Sequence, residues 1–374
     1  MKILIDARMY GLENSGIGRY IINLIENLKE IDHQNNYVVL LKKDYFDQLN
    51  FPNNWKKVQA DIHYYSFEEQ IQLPKLLNDE KPDLVHFPHI NVPIFYRGNF
   101  VVTAHDMTMH SQGTEATTLP RYKYLFKRVP YKLVFRNAII NSKVILTPSR
   151  TVKDEIVEYF KIDPTKVVMT YEGSSRVLKS GEDNVLSNFG LKTGEYFFYV
   201  GNAYPHKNLD LVINAIKGIN KEGDSKVIFA IAGSKNVFIE RLQTLIDKEK
   251  AQGYVKILGY VPDENLQTFY KNSIAFVYPS LSEGFGLQGL EAMAFGALVL
   301  ASEIPVFREI YKDNVLYFDP KSVESLIKVM KTVMKMSIEE KKAIVINAKA
   351  FIKRYSWKKM ARETLNVYKG VLNV

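Results

Sequence analysis

A chain of 374 residues is too long for one ordinary hydrophobic core and suits two domains. Its 46% hydrophobic and 24% charged residues are globular in balance, and no uncharged apolar stretch of about 18 residues is present to cross a bilayer. The lack of any cysteine excludes disulfides, thiolate metal sites and thiol nucleophiles, and the formal charge of +9 turns attention to where the basic residues gather.

The N-terminal MKILIDARMYG meets Asp6 and Arg8 too early for the apolar region of a signal peptide. It reads as a first strand, 2–6, and with the absent cysteines it points to a reducing cytoplasm. Further strands are expected at 37–41, 84–86, 101–104, 144–148 and 167–171, with helices at 18–29, 67–78 and 151–160. From Ala116 to Lys153 there is no acidic residue, while Arg121, Lys123, Lys127, Arg128, Lys132, Arg136, Lys143, Arg150 and Lys153 are basic. Tyr122, Tyr124, Phe126, Tyr131 and Phe135 are interleaved with them. Arg128, Lys132 and Arg136 share one helical face, Phe126, Val129 and Leu133 another, and Pro130 is expected to interrupt the helix. The stretch 121–136 is either a surface for anionic lipid or a solvated face over a core stripe. No nucleic-acid-binding motif accompanies it.

Residues 173–194 are rich in Gly, Ser, Asn and charge, with little periodicity, and mark a boundary. The alternation then restarts. Strands are expected at 196–200, 227–232, 255–258, 274–278 and 298–302, and helices at 208–219, 238–250, 264–271, 287–295 and 322–334. This pattern predicts an α/β chain with two doubly wound domains facing across a cleft, whose ligands sit beyond the carboxyl ends of the strands.

One segment carries most of the chemistry. Glu283 and Glu291 stand eight residues apart around the turn Gly284-Phe285-Gly286, between the strand 274–278 and a helix opening at Leu287. Strand, glycine turn and helix N-terminus make an anion site. Carboxylates beside such a site suit hydroxyls of a sugar and a ribose, so the ligand suggested is a nucleotide-sugar.

This EGFGLQGLEAMAFGALV segment resembles the signature of retaining glycosyltransferases of the GT-B fold, family 4 (group 1), with Gln288 and Leu298 where prolines are common. The resemblance implies that Glu283 approaches the donor sugar, Glu291 holds the ribose, and the amides of Gly284, Phe285, Gly286 and Leu287 serve the sugar and diphosphate. It implies the domain plan 1–175 for acceptor binding, 176–195 as linker, 196–355 for the nucleotide-sugar, and 356–374 as a helix crossing back.

Other segments extend the resemblance. In Gly201-Asn202-Ala203-Tyr204-Pro205-His206-Lys207-Asn208, Lys207 would pair with the donor diphosphate, with Asn202 and His206 at the candidate positions for a second cation. Asn14-Ser15-Gly16-Ile17-Gly18-Arg19-Tyr20 is similar to a GIGRY loop linking first strand to first helix. There Gly16 and Gly18 would let backbone approach the diphosphate and Arg19 would lie near acceptor or sugar. That wording is most familiar in mannosyl- and deoxyhexosyl-transferases, a weak tilt toward GDP-mannose.

His105-Asp106 resembles the family's HD motif, placing His105 near the anomeric centre or a sugar hydroxyl and Asp106 at the loop or acceptor; His89 is also sugar-proximal. Glu172 stands where many relatives carry asparagine, and Tyr260 belongs to the turn whose backbone reads the base.

The expected activity is metal-independent hexose transfer with retention, needing no cofactor, from a nucleoside-diphosphate sugar to a glycan or lipid-linked glycan, with catalysis by His105, Lys207 and Glu283. A location in the cytoplasm, peripheral on the membrane's inner face, would follow. Rival readings are zinc held by the histidines of 86–89 and 105–110 with Asp106, ordinary loop histidines, a GT-B epimerase or phosphorylase, and a non-catalytic nucleotide-sugar-binding subunit.

Overall fold

A computed structural model describes residues 1–111, 121–174, 185–222 and 226–372. Residues 116–120 of the basic run and 176–184 of the expected linker lie outside these, as do the side chains of 121–127. The chain divides into two compact units that exchange at Gly173/Ser174 and again at Arg354/Tyr355, so the first unit includes Tyr355–Val374.

The first unit runs β1 (Lys2–Asp6), α1 (Ser15–Ile31), β2 (Asn36–Leu41), α2 (Lys43–Gln48), β3 (Trp55–Gln59), α3 (Phe67–Glu80), β4 (Leu84–Phe87), β5 (Phe100–Thr103), α4 (Thr108–Ser111), α5 (Arg121–Asn141), β6 (Val144–Thr147), α6 (Arg150–Phe160) and β7 (Val167–Met169). Its seven strands are all parallel in the order β3-β2-β1-β4-β5-β6-β7. Central strands such as β4 and β5 are wholly buried, as a sheet covered on both faces requires.

The terminal helix, Trp357–Val371, packs against α1 and buries Trp357, Met360, Ala361, Thr364, Leu365 and Tyr368. The backbone approach is close: a Cβ on Gly173 would lie 2.3 Å from the Trp357 nitrogen. His86 on β4 locks the joint. Its Nδ1 meets the Tyr368 hydroxyl at 2.6 Å and its Nε2 the Thr103 hydroxyl at 2.8 Å.

Two expectations change here. The helix α5 runs through Pro130 instead of stopping, because a proline forfeits one N–H bond and bends a helix without necessarily ending it. Its core stripe is Phe135, Ala138 and Ile139, whereas Val129 and Leu133 are 60% and 55% exposed, on the solvent side with Lys132 and Arg136.

The second unit runs α7 (Val185–Asn188), β8 (Tyr196–Val200), α8 (Leu209–Glu222), β9 (Ile228–Ala232), α9 (Val237–Lys248), β10 (Val255–Gly259), α10 (Asp263–Asn272), β11 (Ala275–Tyr278), α11 (Leu287–Phe295), β12 (Val299–Ser302), α12 (Pro305–Tyr311), β13 (Leu316–Phe318), α13 (Val323–Lys335) and α14 (Ile338–Phe351). Its six parallel strands are ordered β10-β9-β8-β11-β12-β13. Part of the expected linker is therefore structured: α7 buries Val185 and Leu186 in this unit.

Candidate active site

In the second unit two loops at the carboxyl edge of the sheet are joined. After β8, Pro205–Lys207 makes a single tight turn, and Asn208 follows with φ 56°, its side chain donating to the Pro320 carbonyl at 2.9 Å. Asparagine tolerates that left-handed backbone better than most residues. The Leu281 N–H, in the loop after β11, donates to the His206 carbonyl at 2.8 Å.

This stitch brings Lys207 to Glu283, Nζ to Oε1 at 2.5 Å, and the Ser280 hydroxyl donates to the same oxygen at 2.7 Å. Both side chains are mostly buried, 12% and 13% exposed. Burial alone would raise the Glu283 carboxyl's pKa; the charge and hydrogen bond of Lys207, with Ser280, outweigh it and hold the group below the usual range.

Gly286 has φ 96°, and a Cβ there would lie 2.2 Å from the Tyr311 hydroxyl, which donates to the Gly286 carbonyl at 2.5 Å. Backbone and space both demand glycine. From that turn α11 starts with no side-chain cap, so the positive end of its dipole lies at the carboxyl edge of the sheet, beyond β11. Glu291, in the second turn of α11, is 6% exposed. Gly284 and Phe285 are buried. Asn202 lies partly exposed in the β8 loop, accepting from Asn236 at 3.4 Å, and Tyr260 is 69% exposed beyond β10.

The first unit presents a second set at its own carboxyl edge. Arg8, 3% exposed, is clamped to Asp6 by two bonds of 2.8 and 2.7 Å and to Glu69 at 2.7 Å, while Asn91 donates to Glu69 at 2.6 Å. Burial pushes the Glu69 pKa up against the pull of Arg8. Asp6, Arg8 and Asn91, with Tyr64, His89 and the apolar Met9, Ile21 and Phe87, line a small pocket. Sequence reasoning missed this network: Asp6 and Arg8 served only to argue against a leader. Charges two apart at a strand's end were the signal available.

His89, half-buried, has its ring 3.3 Å from the Tyr65 hydroxyl, and burial pushes its pKa down to about 3. His105 places Nε2 2.9 Å from the Pro88 carbonyl and Nδ1 3.3 Å from Glu172. Asp106 is exposed and accepts from the Thr108 N–H at 2.8 Å, so it orders the loop entering α4.

Two profiles of known families match. "Glycosyltransferase Family 4" matches residues 14–174 and "Glycosyl transferases group 1" matches residues 186–351. The chain belongs to glycosyltransferase family 4.

O-antigen chain mannosyltransferase B of Escherichia coli is 26% identical, covering 99% of this chain and all of its own length. O-antigen chain mannosyltransferase RfbU of Salmonella typhimurium is 27% identical over 87% of this chain and 90% of its own. HepE of Anabaena, crystallised with UDP and glucose, shares the fold at TM-score 0.74 and 16% identity, over 99% of this chain and all of its own. The glycosyltransferase therefore has the GT-B fold, two Rossmann-like units.

Within that family-4 chain, the expected site residues fall into two groups. Lys207, Glu283, Gly284, Phe285, Gly286, Leu287 and Glu291 are brought together on two loops and one helix of the second unit. His89, His105 and Asp106 lie at the strand ends of the first.

The glycines near the N-terminus need correction. Gly16 and Gly18 are inside α1 rather than in a loop. Gly18 is buried because a Cβ would meet the Gly11 carbonyl oxygen at 1.7 Å, whereas Gly16 has open space around it. Arg19 is half-buried on the same helix.

The histidines do not converge on a metal. His86 is spent between Tyr368 and Thr103, His110 packs tilted or edge-on among Tyr131, Phe135, Tyr159 and Phe160, and among the described residues no three metal-binding side chains cluster. Gln288, standing where a proline is common, accepts at Oε1 from the Tyr278 hydroxyl at 2.5 Å, which fixes the first turn of α11 to β11.

Proposed function

We propose that this glycosyltransferase moves a hexose, with mannose favoured, from a nucleoside-diphosphate sugar to a hydroxyl of a lipid-linked or polysaccharide acceptor, retaining the anomeric configuration and needing no metal. The observation that carries the reading is the meeting of Lys207 and Glu283 at the uncapped start of α11, with Glu291 buried one turn further on.

An ammonium has three N–H donors and Glu283 takes one, so Lys207 can bond the diphosphate while positioned by that carboxylate. The N-terminus of α11 adds amide donors and the positive end of its dipole. Together they stabilise the charge that grows on the departing phosphate, the task a divalent cation would otherwise perform. Glu283 accepts from a sugar hydroxyl and Glu291 from the ribose. Gly284, Phe285, Gly286 and Leu287 supply backbone to sugar and phosphate, Asn202 and Tyr260 flank the nucleotide, and His89, His105, Asp106 and Arg19 lie toward acceptor or sugar. The leaving phosphate itself takes the acceptor's proton on the same face, so no protein nucleophile enters.

Mannose and an O-antigen-type acceptor are supported by the two curated mannosyltransferases that cover nearly the whole chain, and a uridine nucleotide remains the rival base because HepE binds UDP. No described helix is long and apolar enough to cross a membrane. Peripheral contact with the anionic inner face is supported by Val129 and Leu133 standing exposed beside Lys132 and Arg136 on α5, where each basic residue adds about 1 kcal/mol.

A thermal-shift panel of GDP-, UDP-, dTDP- and ADP-sugars with their free diphosphates tests the donor. A true donor at about 100-fold its Kd adds about 2.7 kcal/mol. GDP-mannose should stand out. No response from any member would sink the donor site, and an inverted linkage in the product or complete loss of transfer in EDTA would sink retention or metal independence.

A further inference from the structure

His105 is bonded in a way that settles its protons. It follows β5, and its Nε2 lies 2.9 Å from the Pro88 carbonyl oxygen, an atom that can only accept. Nε2 therefore carries a proton. Its Nδ1 lies 3.3 Å from Oε1 of Glu172, which is 4% exposed at the end of the segment after β7. A neutral ring would turn its Nδ1 lone pair toward the carboxylate oxygen, an acceptor facing an acceptor, whereas an imidazolium donates to it.

We propose that Glu172 is a positioning residue that keeps His105 a standing imidazolium, so that His105 serves as a fixed positive charge and a brace between three strand ends, with no part in proton transfer. The idea rests on the donor reading above for its use, since a fixed cation at this edge would favour an anionic donor. Its structural half stands without that reading.

The other groups facing the ring agree. Asp106, on the same loop, adds negative charge. Tyr20 on α1 presents its ring edge-on, 4.8 Å between centroids, and its hydroxyl is tied to Thr103 at 3.1 Å. His86 and His89, from β4 and the loop after it, are pushed by burial to pKa values of about 3, so they stay neutral and do not compete as cations. Burial opposes the charge on His105 itself, and the bond to Glu172 overcomes it and raises the pKa. The asparagine expected at this position could not do so, because an amide bears no charge.

The test is long-range proton–nitrogen NMR on the full chain labelled with nitrogen-15 histidine, from pH 6 to 9.5, with His105→Gln identifying the signal. At pH 7 an unperturbed histidine is about 3-fold neutral. His105 should be mostly doubly protonated there. A mostly singly protonated ring at pH 7 in the unaltered protein overturns the proposal, and that result needs no variant to fold.

In Glu172→Gln the ring should titrate at least one pH unit lower; an unmoved titration also overturns it. Hydrolysis of GDP-mannose, followed against pH in both proteins, tests the use of the charge. Turnover in Glu172→Gln should fall away at least one pH unit earlier as pH rises, and coincident profiles refute that use. A doubly protonated ring in a protein that neither binds nor hydrolyses GDP-mannose would remove the donor reading and leave the imidazolium standing.

Discussion

Gly16 and Gly18, two residues apart in α1, make a paired prediction that separates packing from ligand contact. A Cβ added to Gly18 would lie 1.7 Å from the Gly11 carbonyl oxygen and 2.8 Å from its carbon. Non-bonded atoms need about 3.5 Å. The backbone must therefore yield by more than an ångström, and it cannot yield freely. Gly11 itself sits at φ 119°, and its carbonyl already accepts the Asn14 N–H at 3.1 Å.

Overpacking of this kind costs about 3 kcal/mol, offset by about 1 kcal/mol from replacing glycine inside a helix. Gly18→Ala should thus lose about 2 kcal/mol. For a folding unit of this size that is a fall of about 6 °C in Tm. Gly16→Ala meets nothing within 4 Å and should gain about 0.5 kcal/mol. Calorimetry on both variants, with GDP titrated into each, is the assay. Equal Tm for Gly18→Ala and the unaltered protein would refute the packing argument. A Gly16→Ala protein that is more stable yet binds GDP more weakly would assign Gly16 to the donor.

Lys207→Met leaves the buried Glu283 carboxylate without its cation, the Ser280 hydroxyl still donating to it, and should cost about 3 kcal/mol at pH 7. Burial then lifts the Glu283 pKa, so the deficit against the unaltered protein should shrink by pH 4.5; a deficit constant with pH contradicts the pair. Glu291→Ala should weaken GDP binding by about 1–3 kcal/mol in isothermal titration, and unchanged affinity ends its ribose role. His86 is neutral in the fold down to about pH 3, whereas the unfolded chain protonates near 6.5. Stability should then decline as pH drops below 6.5, by about 2 kcal/mol at pH 5 from this group alone; a flat denaturation midpoint across that interval refutes it. His105 acts in the other direction. Its raised pKa gives stability that is complete below pH 6.5 and lost as pH climbs through the folded value, so a separate decline should be seen on the alkaline side.

The fold was legible wherever burial imposed an unbroken apolar run. Central strands such as β8, YFFYV, read directly. The strands missed, β3 and β13, are edges, and β3 (WKKVQ) carries two lysines on a strand half open to water. The other edges, β7 and β10, were found because Val167, Val168 and Met169, or Val255, Ile257 and Leu258, kept the apolar signal. The helix α14 hides for a related reason: it buries Ala348 alone, so periodicity is faint. Its capping box, Ser337 bonded to the Glu340 N–H at 3.1 Å and Glu340 returning to the Ser337 N–H at 2.7 Å, was the readable sign.

The candidate site divides along the same line between local and non-local information. Glu283, the glycine turn and Glu291 lie within nine consecutive residues, so their grouping could be read from the sequence. Lys207 and Glu283 are 76 positions apart, and what joins them is a backbone bond from Leu281 to His206 that no periodicity announces. His105 and Glu172 likewise come from different strands, so the departure at position 172 could be noticed in the sequence but not connected to the histidine it faces. Arg8 shows the limit most clearly. Its partners Asp6, Glu69 and Ile62 arrive from three segments, and a charge that reads as surface in a linear string is 3% exposed in the fold. A charge is kept buried only when folding delivers its partners, so groups of this kind are legible last and repay inspection first.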